Sequence, residues 1–238
     1  MLFAAVLAGS ALLAAPVYAQ SRALEQSCEN RDGSLPREQQ IIACTSLIHT
    51  PGLAPEARAS AYKDRGNAYR EMRSYDQAIA DYTQAIRSRP FYANAYNNRA
   101  IAHRFNGDIA SAIADFDQAL RYAPNEYSTY VNRGGAYADQ GNYVSAIADY
   151  NRAIELNPQY ARAYARRGNA HRSQGDYERA IADYNEAIRI DPENANAYNN
   201  RGIAYRDLGQ MERALADFDE AARLEPNNPD YGGFGARR

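Results

Sequence analysis

The chain has 238 residues, of which 45% are hydrophobic and 24% are charged, and this is the composition of an ordinary folded protein. The net charge of −2 and the pI near 6.0 give no reason to expect a nucleic-acid partner or an anionic membrane surface.

Residues 1–19 predict a signal peptide. The segment has no charged side chain, and the small residues Val17 and Ala19 stand at positions −3 and −1 before Gln20, as in a secretory cleavage site. No Lys or Arg precedes the apolar run, so either the start methionine is assigned too far downstream or the free amino terminus supplies the positive charge. An uncleaved membrane anchor is the alternative, and Pro16 and the cleavage pattern weigh against it.

Residues 20–58 are less regular and predict an N-terminal cap. Apolar residues from Ile41 to Ile48 form a helical stripe, which predicts a helix over residues 38–48. Cys28 lies in a polar stretch that also contains Gly33 and Pro36, where we expect no good helix.

The only two cysteines, Cys28 and Cys44, lie in this cap. Because an export signal precedes them, we expect a disulfide between them. It would close a loop of about 15 residues and contribute about 3 kcal/mol in the chain-entropy description. The alternative is two free thiols, with Cys44 as a small core residue.

A unit of two short amphipathic helices follows, and it is clearest at residues 127–158. Tyr130, Arg133, Gly134 and Tyr137 lie on one face of the first helix. Gly141 ends that helix, and the next residue can cap the second. The second helix carries its apolar stripe at Ala146, Ile147, Tyr150, Ala153 and Ile154, and ends at Pro158. Neither helix is long enough to be stable alone, so the unit needs neighbours.

The neighbours are copies at a step of 34 residues. The closing proline recurs as Pro90, Pro124, Pro158, Pro192 and Pro226. The opening aromatic residue recurs as Tyr62, Tyr96, Tyr130, Tyr164 and Tyr198. The small residue of the second helix recurs as Ala78, Ala112, Ala146, Ala180 and Ala214. Counting back one step from Ala78 reaches Cys44, which places the cap helix in the second-helix position of a half repeat.

This pattern resembles the tetratricopeptide repeat (TPR) family, whose signature is W-x2-L-G-x2-Y, then A-x3-F, then P. The resemblance covers Ala59 to about Asn228, and it implies an all-α, right-handed α-solenoid of five helix-turn-helix repeats behind a half-repeat cap. The expected repeats are 59–92, 93–126, 127–160, 161–194 and 195–228, followed by a flexible tail at 229–238. Exported bacterial TPR proteins with a two-cysteine first segment look similar, which implies a periplasmic or secreted location.

Two departures from the family pattern carry structural expectations. Arginine stands where the family often has Leu, and an aspartate recurs 16 residues later, so we expect either a salt-bridge ladder between the two helices or two independent solvated stripes. The arginines are Arg65, Arg99, Arg133, Arg167 and Arg201, and the aspartates are Asp81, Asp115, Asp149, Asp183 and Asp217. Arg73 replaces the turn glycine and Gln210 replaces a good cap, so the end repeats should be looser. We also expect the last helix to stay partly uncovered at Leu215, Phe218 and Ala222.

No residue pattern predicts an enzyme, a metal site or a small-molecule cofactor. His49, His103 and His171 are the only histidines, and two of them occupy a core tyrosine position. The sequence has no Gly-rich phosphate loop, no Cys/His metal spacing and no nucleophile beside a base.

The resemblance implies a ligand groove along first-helix positions 2, 5, 6, 9, 12 and 13 of each repeat. These thirty places hold seven bases and four acids, a groove charge of +3, and nine asparagines. Asparagine is a poor helix former, so the asparagines either bind an extended peptide backbone or were carried along by duplication. The predicted groove residues are Lys63, Asn67, Asn98, Asn132, Arg162, Arg166, Asn169 and Asn200.

Part of this groove resembles the carboxylate clamp of some TPR domains. Lys63, Asn67 and Asn98 match its first two units, but the third unit has no basic pair, which appears one repeat later as Arg162 and Arg166. The sequence therefore predicts a longer site for an acidic segment. The expected function is a non-enzymatic protein-binding scaffold whose partner is another protein or a peptide. The alternative is a self-assembling envelope subunit that associates weakly through its C-terminal repeat.

Overall fold

The computed structural model describes residues 22–228 and residue 231, and within them the chain forms twelve helices and no strand. The predicted signal peptide lies outside the described residues. Helix α1 covers residues 22–29. The others are α2 (Arg37–Ile48), α3 (Pro55–Glu71), α4 (Tyr75–Ser88), α5 (Ala93–Phe105), α6 (Ile109–Tyr122), α7 (Tyr127–Asp139), α8 (Tyr143–Leu156), α9 (Ala161–Ser173), α10 (Tyr177–Ile190), α11 (Ala195–Asp207) and α12 (Met211–Leu224).

The chain divides into two compact units, residues 1–122 and residues 123–238. Unit 1 contains α1–α6 and unit 2 contains α7–α12. Inside each unit, every helix of a pair packs on its partner, and the second helix packs on the first helix of the next pair. We call α3, α5, α7, α9 and α11 the A helices, and α4, α6, α8, α10 and α12 the B helices. The predicted all-α solenoid class is confirmed by this consecutive pair packing.

The N-terminal cap is a short helix pair, which corrects one expectation. Cys28 lies near the end of helix α1 and not in a non-helical stretch, because Leu24 and Cys28 give that helix an apolar side that packs on the cap core. Cys28 and Cys44 form a disulfide, with their Cα atoms 4.6 Å apart. The polar loop begins only at Asn30, whose side chain bonds the backbone of Leu35 in both directions.

The A and B helices of one repeat approach closely where the sequence predicts small residues. A Cβ atom added to Gly134 would lie 2.7 Å from a ring carbon of Tyr150, and 3.1 Å from the backbone oxygen of Ala146. Any side chain at this glycine would therefore push the helices apart. The same contact recurs at Gly168 against Tyr184, where the distance is 2.8 Å.

A ladder of five Arg–Asp pairs joins the A helix to the B helix of each repeat, and the alternative of two independent stripes is wrong. Each arginine donates two hydrogen bonds to both carboxylate oxygens of its aspartate, at 2.6 to 2.9 Å. The five aspartates are buried, at 5% to 7% exposure. Such bidentate geometry is the strongest form of this ion pair.

The arginines also reach the preceding B-helix position within each unit. Arg99 Nη1 donates to Thr83 at 3.0 Å, and Arg201 Nη1 donates to Asn185 at 2.7 Å. Arg65 makes the same bond to Thr45 of α2, at 2.8 Å, so the cap helix occupies the B-helix place predicted for it. Each guanidinium further lies over the tyrosine one turn earlier, 5.4 to 5.6 Å from the ring centre.

The turn between the helices of a repeat needs a left-handed backbone. Gly141 adopts φ +74°, and Asn142 caps the next helix by accepting a bond from Ser145 N at 3.1 Å, as predicted. In the first repeat Arg73 takes this conformation at φ +60°, which is strained for a residue with a Cβ atom. Gln210 makes no side-chain cap bond, as predicted for the last repeat.

The end of the last repeat is covered at Phe218, which corrects one expectation, whereas Leu215 and Ala222 stay half-buried as predicted. Tyr231 is 5% exposed and packs against Ala195 and Ala221. Its hydroxyl donates to Asn196 Oδ1 at 2.7 Å. Phe218 is also only 5% exposed because its ring faces Gly202 of the A helix. The rest of the predicted tail, apart from this tyrosine, lies outside the described residues.

Among the described residues, no helix combines the length and the apolar character that a membrane crossing requires. The same residues contain no group of three or more His, Cys, Asp or Glu side chains placed to hold a metal ion.

Candidate functional site

The predicted groove residues fall on the A helices, where they are divided between the two units. Lys63, Asn67 and Asn98 lie in unit 1, and the other five lie in unit 2. We describe the two sets separately and call them the unit-1 face and the unit-2 face. The unit-1 face is formed by α3 and α5, which contact one another. The unit-2 face is formed by α7, α9 and α11, in which α9 contacts both of the others.

On the unit-1 face, the charge of Lys63 is balanced within the protein. Its ammonium group lies 2.9 Å from a carboxylate oxygen of Asp64. Burial lowers the pKa of Lys63, but the attraction of Asp64 outweighs burial and the pKa is raised. Lys63 therefore stays charged with its partner in place, which makes it a poor anchor for a ligand carboxylate.

The asparagines of the unit-1 face bind one another. Asn67 Oδ1 accepts from the Tyr82 hydroxyl at 2.9 Å and from Asn98 Nδ2 at 3.0 Å. Asn98 Oδ1 in turn accepts from Asn97 Nδ2 at 3.2 Å. The three amides thus form a chain that ends on the hydroxyl of a buried tyrosine. Much of the hydrogen-bonding capacity predicted for a ligand here is used inside the unit.

On the unit-2 face, two arginines of helix α9 are exposed, in contrast to Lys63 on the unit-1 face. Arg162 and Arg166 lie four residues apart on α9, so they share one side of that helix, and both are exposed. Asn169 follows one turn later and is half-buried. Asn132 on α7 and Asn200 on α11 stand one repeat step before and after Arg166, on the neighbouring A helices. The structure thus brings the five predicted unit-2 residues onto three adjoining helices.

The unit-2 face is basic. Its groove positions hold four arginines and two aspartates, a net charge of +2. One aspartate, Asp207, is bonded by its neighbour Arg206 at 2.8 Å. The arginine side chains suit anions with two oxygens, because a guanidinium can donate two parallel bonds to a carboxylate.

A buried tyrosine also reaches the unit-2 face, and the sequence analysis missed it. Tyr184 of α10 is fully buried, and its hydroxyl donates to Asn169 Oδ1 at 2.7 Å. Burial raises the pKa of Tyr184 to about 12, with the Arg172 guanidinium acting in the opposite direction. The repeats contain a sequence signal for this contact. In the first and fourth repeats an A-helix asparagine stands 15 residues before the B-helix tyrosine, as Asn67 before Tyr82 and Asn169 before Tyr184.

Sequence profiles described as tetratricopeptide or TPR repeats match residues 66–107 and 168–205, 98–161, 149–182, and 195–228. Together they span residues 66–228, which is more than half of the chain. Tetratricopeptide repeat protein 4 of Homo sapiens is 36% identical over 55 residues, which is 23% of this chain. The match covers only 14% of that human protein.

Several solved structures are similar as well. A tetratricopeptide repeat protein from Parabacteroides merdae has a TM-score of 0.75 at 20% identity, over 90% of this chain and 83% of its own. MamA has a TM-score of 0.61 at 27% identity, over 68% of this chain and 94% of its own. YrrB, described as a TPR protein with an unusual peptide-binding site, has a TM-score of 0.57 at 22% identity, over 73% and 89%. The chain therefore belongs to the tetratricopeptide repeat family.

Proposed function

We propose that this chain is an exported, non-enzymatic scaffold that binds an acidic segment of another protein on its unit-2 face. The single observation that supports the proposal is the exposed pair Arg162 and Arg166, with Asn169 on the next turn of the same helix. The fold is that of protein-interaction scaffolds, and one structural neighbour, YrrB, is itself described as having a peptide-binding site.

The charge of unit 2 favours an acidic ligand. The groove positions of the three helices carry a net charge of +2 in a chain whose total is −2, so the basic residues are concentrated where a ligand would lie. The flanking amides of Asn132 and Asn200 can bond the backbone of an extended ligand, since each offers a donor and an acceptor. An acidic peptide laid across α9 would thus meet cations in the middle and amides on both sides.

The experiment uses an acetylated hexaglutamate peptide and isothermal titration calorimetry. The wild type should bind the peptide, and Arg162→Ala with Arg166→Ala should weaken binding by about 2–4 kcal/mol with little change in thermal stability. Raising the salt concentration should weaken the wild type and scarcely affect the double variant.

The matched control removes two other arginines of unit 2. Arg189 and Arg223 lie on B helices, where each pairs with a glutamate three residues earlier. Changing both to Ala removes the same charge from the unit but leaves the unit-2 face intact. Equal losses in the two double variants would mean that binding follows net charge alone. Absence of any binding to the wild type would exclude an acidic ligand.

Export is the second part of the proposal. It is supported by the uncharged apolar segment at residues 1–19 and by the Cys28–Cys44 disulfide, since disulfides persist mainly in oxidising compartments. Expression in a bacterium with a periplasm, followed by fractionation and intact mass, should give a periplasmic protein that begins at Gln20. A full-length chain that stays in the cytoplasm with both cysteines alkylatable would contradict it.

The alternative of a self-assembling subunit keeps part of its support. Tyr231 packs on Ala195 and Ala221 at that end of unit 2, but Leu215 and Ala222 of the last helix are only half-buried. Light scattering at several concentrations separates the two functions, because only an assembling subunit should show a mass that rises with concentration.

A further inference from the structure

The orientation of the Asn169 amide is set from inside unit 2. Its Oδ1 atom lies 2.7 Å from the Tyr184 hydroxyl, which has a single hydrogen to give. The Arg172 guanidinium beside that hydroxyl attracts its oxygen lone pairs, so the hydrogen points to Asn169. The asparagine oxygen is therefore the inward atom. Its Nδ2 atom donates to no described residue, which leaves two N–H groups for the unit-2 face.

The unit-1 face has the same arrangement. Asn67 Oδ1 takes hydrogens from both Tyr82 and Asn98. Both bonds end on Oδ1, so the oxygen is the inward atom in this repeat as well. Two repeats thus use a buried tyrosine hydroxyl to turn the nitrogen of a groove asparagine outward.

The repeats also show that the hydroxyl is not needed for packing. Where the B helix has a phenylalanine, the matching groove position holds an isoleucine, and the two pairs are Ile101 with Phe116 and Ile203 with Phe218. Phe218 packs on its glycine as closely as Tyr184 does, at 2.7 and 2.8 Å from an added Cβ. The third repeat has Tyr150 on its B helix and Gly135 at the matching groove position. The hydroxyl accompanies the asparagine in every repeat that has one at this position.

We propose that Tyr184 is a positioning residue that locks Asn169 with its N–H groups outward, so that α9 offers a ligand only donors. This deepens the proposed function and rests on it. Arg162 and Arg166 can only donate, and the locked amide adds two further donors. Such a site accepts a carboxylate, whose oxygens are all acceptors, and rejects the isosteric carboxamide, whose N–H2 group would face other donors. Tyr184 thereby contributes to specificity without touching the ligand.

The test compares acetylated hexaglutamate with acetylated hexaglutamine. Tyr184→Phe keeps the ring but frees the Asn169 amide to turn over, so the affinity for hexaglutamate should fall about 5-fold, the equivalent of one hydrogen bond. The preference for glutamate over glutamine should fall with it. In an Asn169→Ile background, Tyr184→Phe should have no further effect. That double variant reproduces the Ile–Phe pair of repeats 2 and 5, and it should therefore fold.

The matched control is Tyr82→Phe, which removes the same hydroxyl from unit 1 and should leave hexaglutamate binding unchanged. The proposal is overturned if Tyr184→Phe keeps the wild-type affinity and preference. It is also overturned if Tyr184→Phe costs as much affinity in the Asn169→Ile background as it does with the asparagine present.

A ligand-free measurement separates this inference from the proposed function. NMR of the wild type should show a slowly exchanging Tyr184 hydroxyl proton and Asn169 side-chain N–H protons that exchange with water. Protected Asn169 N–H protons would mean that the amide donates inward, and the inference would be wrong. If the Asn169 amide has this orientation but hexaglutamate does not bind, the proposed function is wrong about the acidic ligand, and the orientation of the amide still holds.

Discussion

The Arg167–Asp183 pair offers the sharpest test of how these repeats are held together. Arg167 donates to both oxygens of Asp183, at 2.9 and 2.6 Å, and to Asn151 of the preceding repeat at 2.5 Å. The side chain of Asp183 is 7% exposed and that of Arg167 is 22% exposed. Changing Arg167 to Leu, the residue the family often has here, would leave a buried carboxylate without its cation.

The magnitude follows from that burial. Removing one member of a buried pair costs about 3–5 kcal/mol, and the lower end applies because the guanidinium is partly exposed. Replacing both members by Leu removes the unpaired charge, so the double variant should lose only about 1 kcal/mol. The predicted coupling between the two sites is therefore at least about 2 kcal/mol.

The assay is urea unfolding followed by circular dichroism on Arg167→Leu, Asp183→Leu and the double variant. The midpoints should fall in both single variants and recover in the double, with the slope unchanged. If the double variant loses the sum of the two single losses, the charges act independently and the ladder does not hold the helices together.

Three smaller predictions concern the first repeat, a buried histidine and the C-terminal end. Arg73→Gly should stabilise the protein by about 0.5–1 kcal/mol, because glycine relieves the strain of φ +60° at a small entropy cost. The reverse change in the next repeat, Gly107→Arg, should destabilise the protein, and thermal unfolding measures both effects. Burial lowers the pKa of His171, with Asp183 and Asp176 opposing the shift and Arg167 and Arg179 adding to it. The folded state thus prefers neutral His171. Its contribution to the free energy of unfolding is complete above the ordinary pKa near 6.5 and is lost as the pH falls through the lower pKa of the folded state. His171→Tyr should therefore make the free energy of unfolding less dependent on pH, which unfolding titrations from pH 7 to pH 5 measure. Tyr231→Ala should cost about 2 kcal/mol and increase hydrogen exchange in α12 but not in α8, and unchanged exchange in α12 would mean that this tyrosine does not cap the last repeat.

Much of the fold follows from residue spacing. The 34-residue step located ten helices, and Gly141 and Asn142 marked a turn and a cap that the structure contains. The Arg–Asp spacing of 16 residues raised the ladder as one of two possibilities. Spacing alone could not choose between them, because two stripes on adjacent helices face each other only when the helix crossing brings them together.

The errors at the two ends have different causes. The segment before Cys28 is rich in helix formers, with Ala23, Leu24 and Glu25, but the expectation weighed Gly33 and Pro36, which lie after the helix has ended. The disulfide and packing against α3 then hold this helix in the cap. Tyr231 lies in a tail that shows no periodicity, and only its contacts with Ala195 and Ala221 explain its burial. The first helix could thus have been read from local sequence, whereas the burial of Tyr231 depends on contacts with the last repeat.

The candidate site was predictable only in outline. The positions of Arg162 and Arg166 on one side of α9 follow from their spacing, and the structure places both on the surface. The pairing of Lys63 with Asp64 did not follow, because consecutive residues of a helix do not face each other and their pairing depends on the side-chain rotamers. The chain from Tyr82 through Asn67 to Asn98 did not follow, because side-chain bonds between helices depend on how adjacent helices are aligned. Whether these residues bind a ligand stays a prediction.

The most direct measurement of the central claim is an NMR titration that follows side-chain N–H signals as hexaglutamate is added. We predict that the arginine Nε–H signals of Arg162 and Arg166 and the amide signals of Asn169 shift together and saturate at one equivalent. Signals of Lys63 and Asn67 in unit 1 should stay in place. Saturating shifts confined to unit 1, with none at Arg162 and Arg166, would show that the acidic ligand does not bind the unit-2 face.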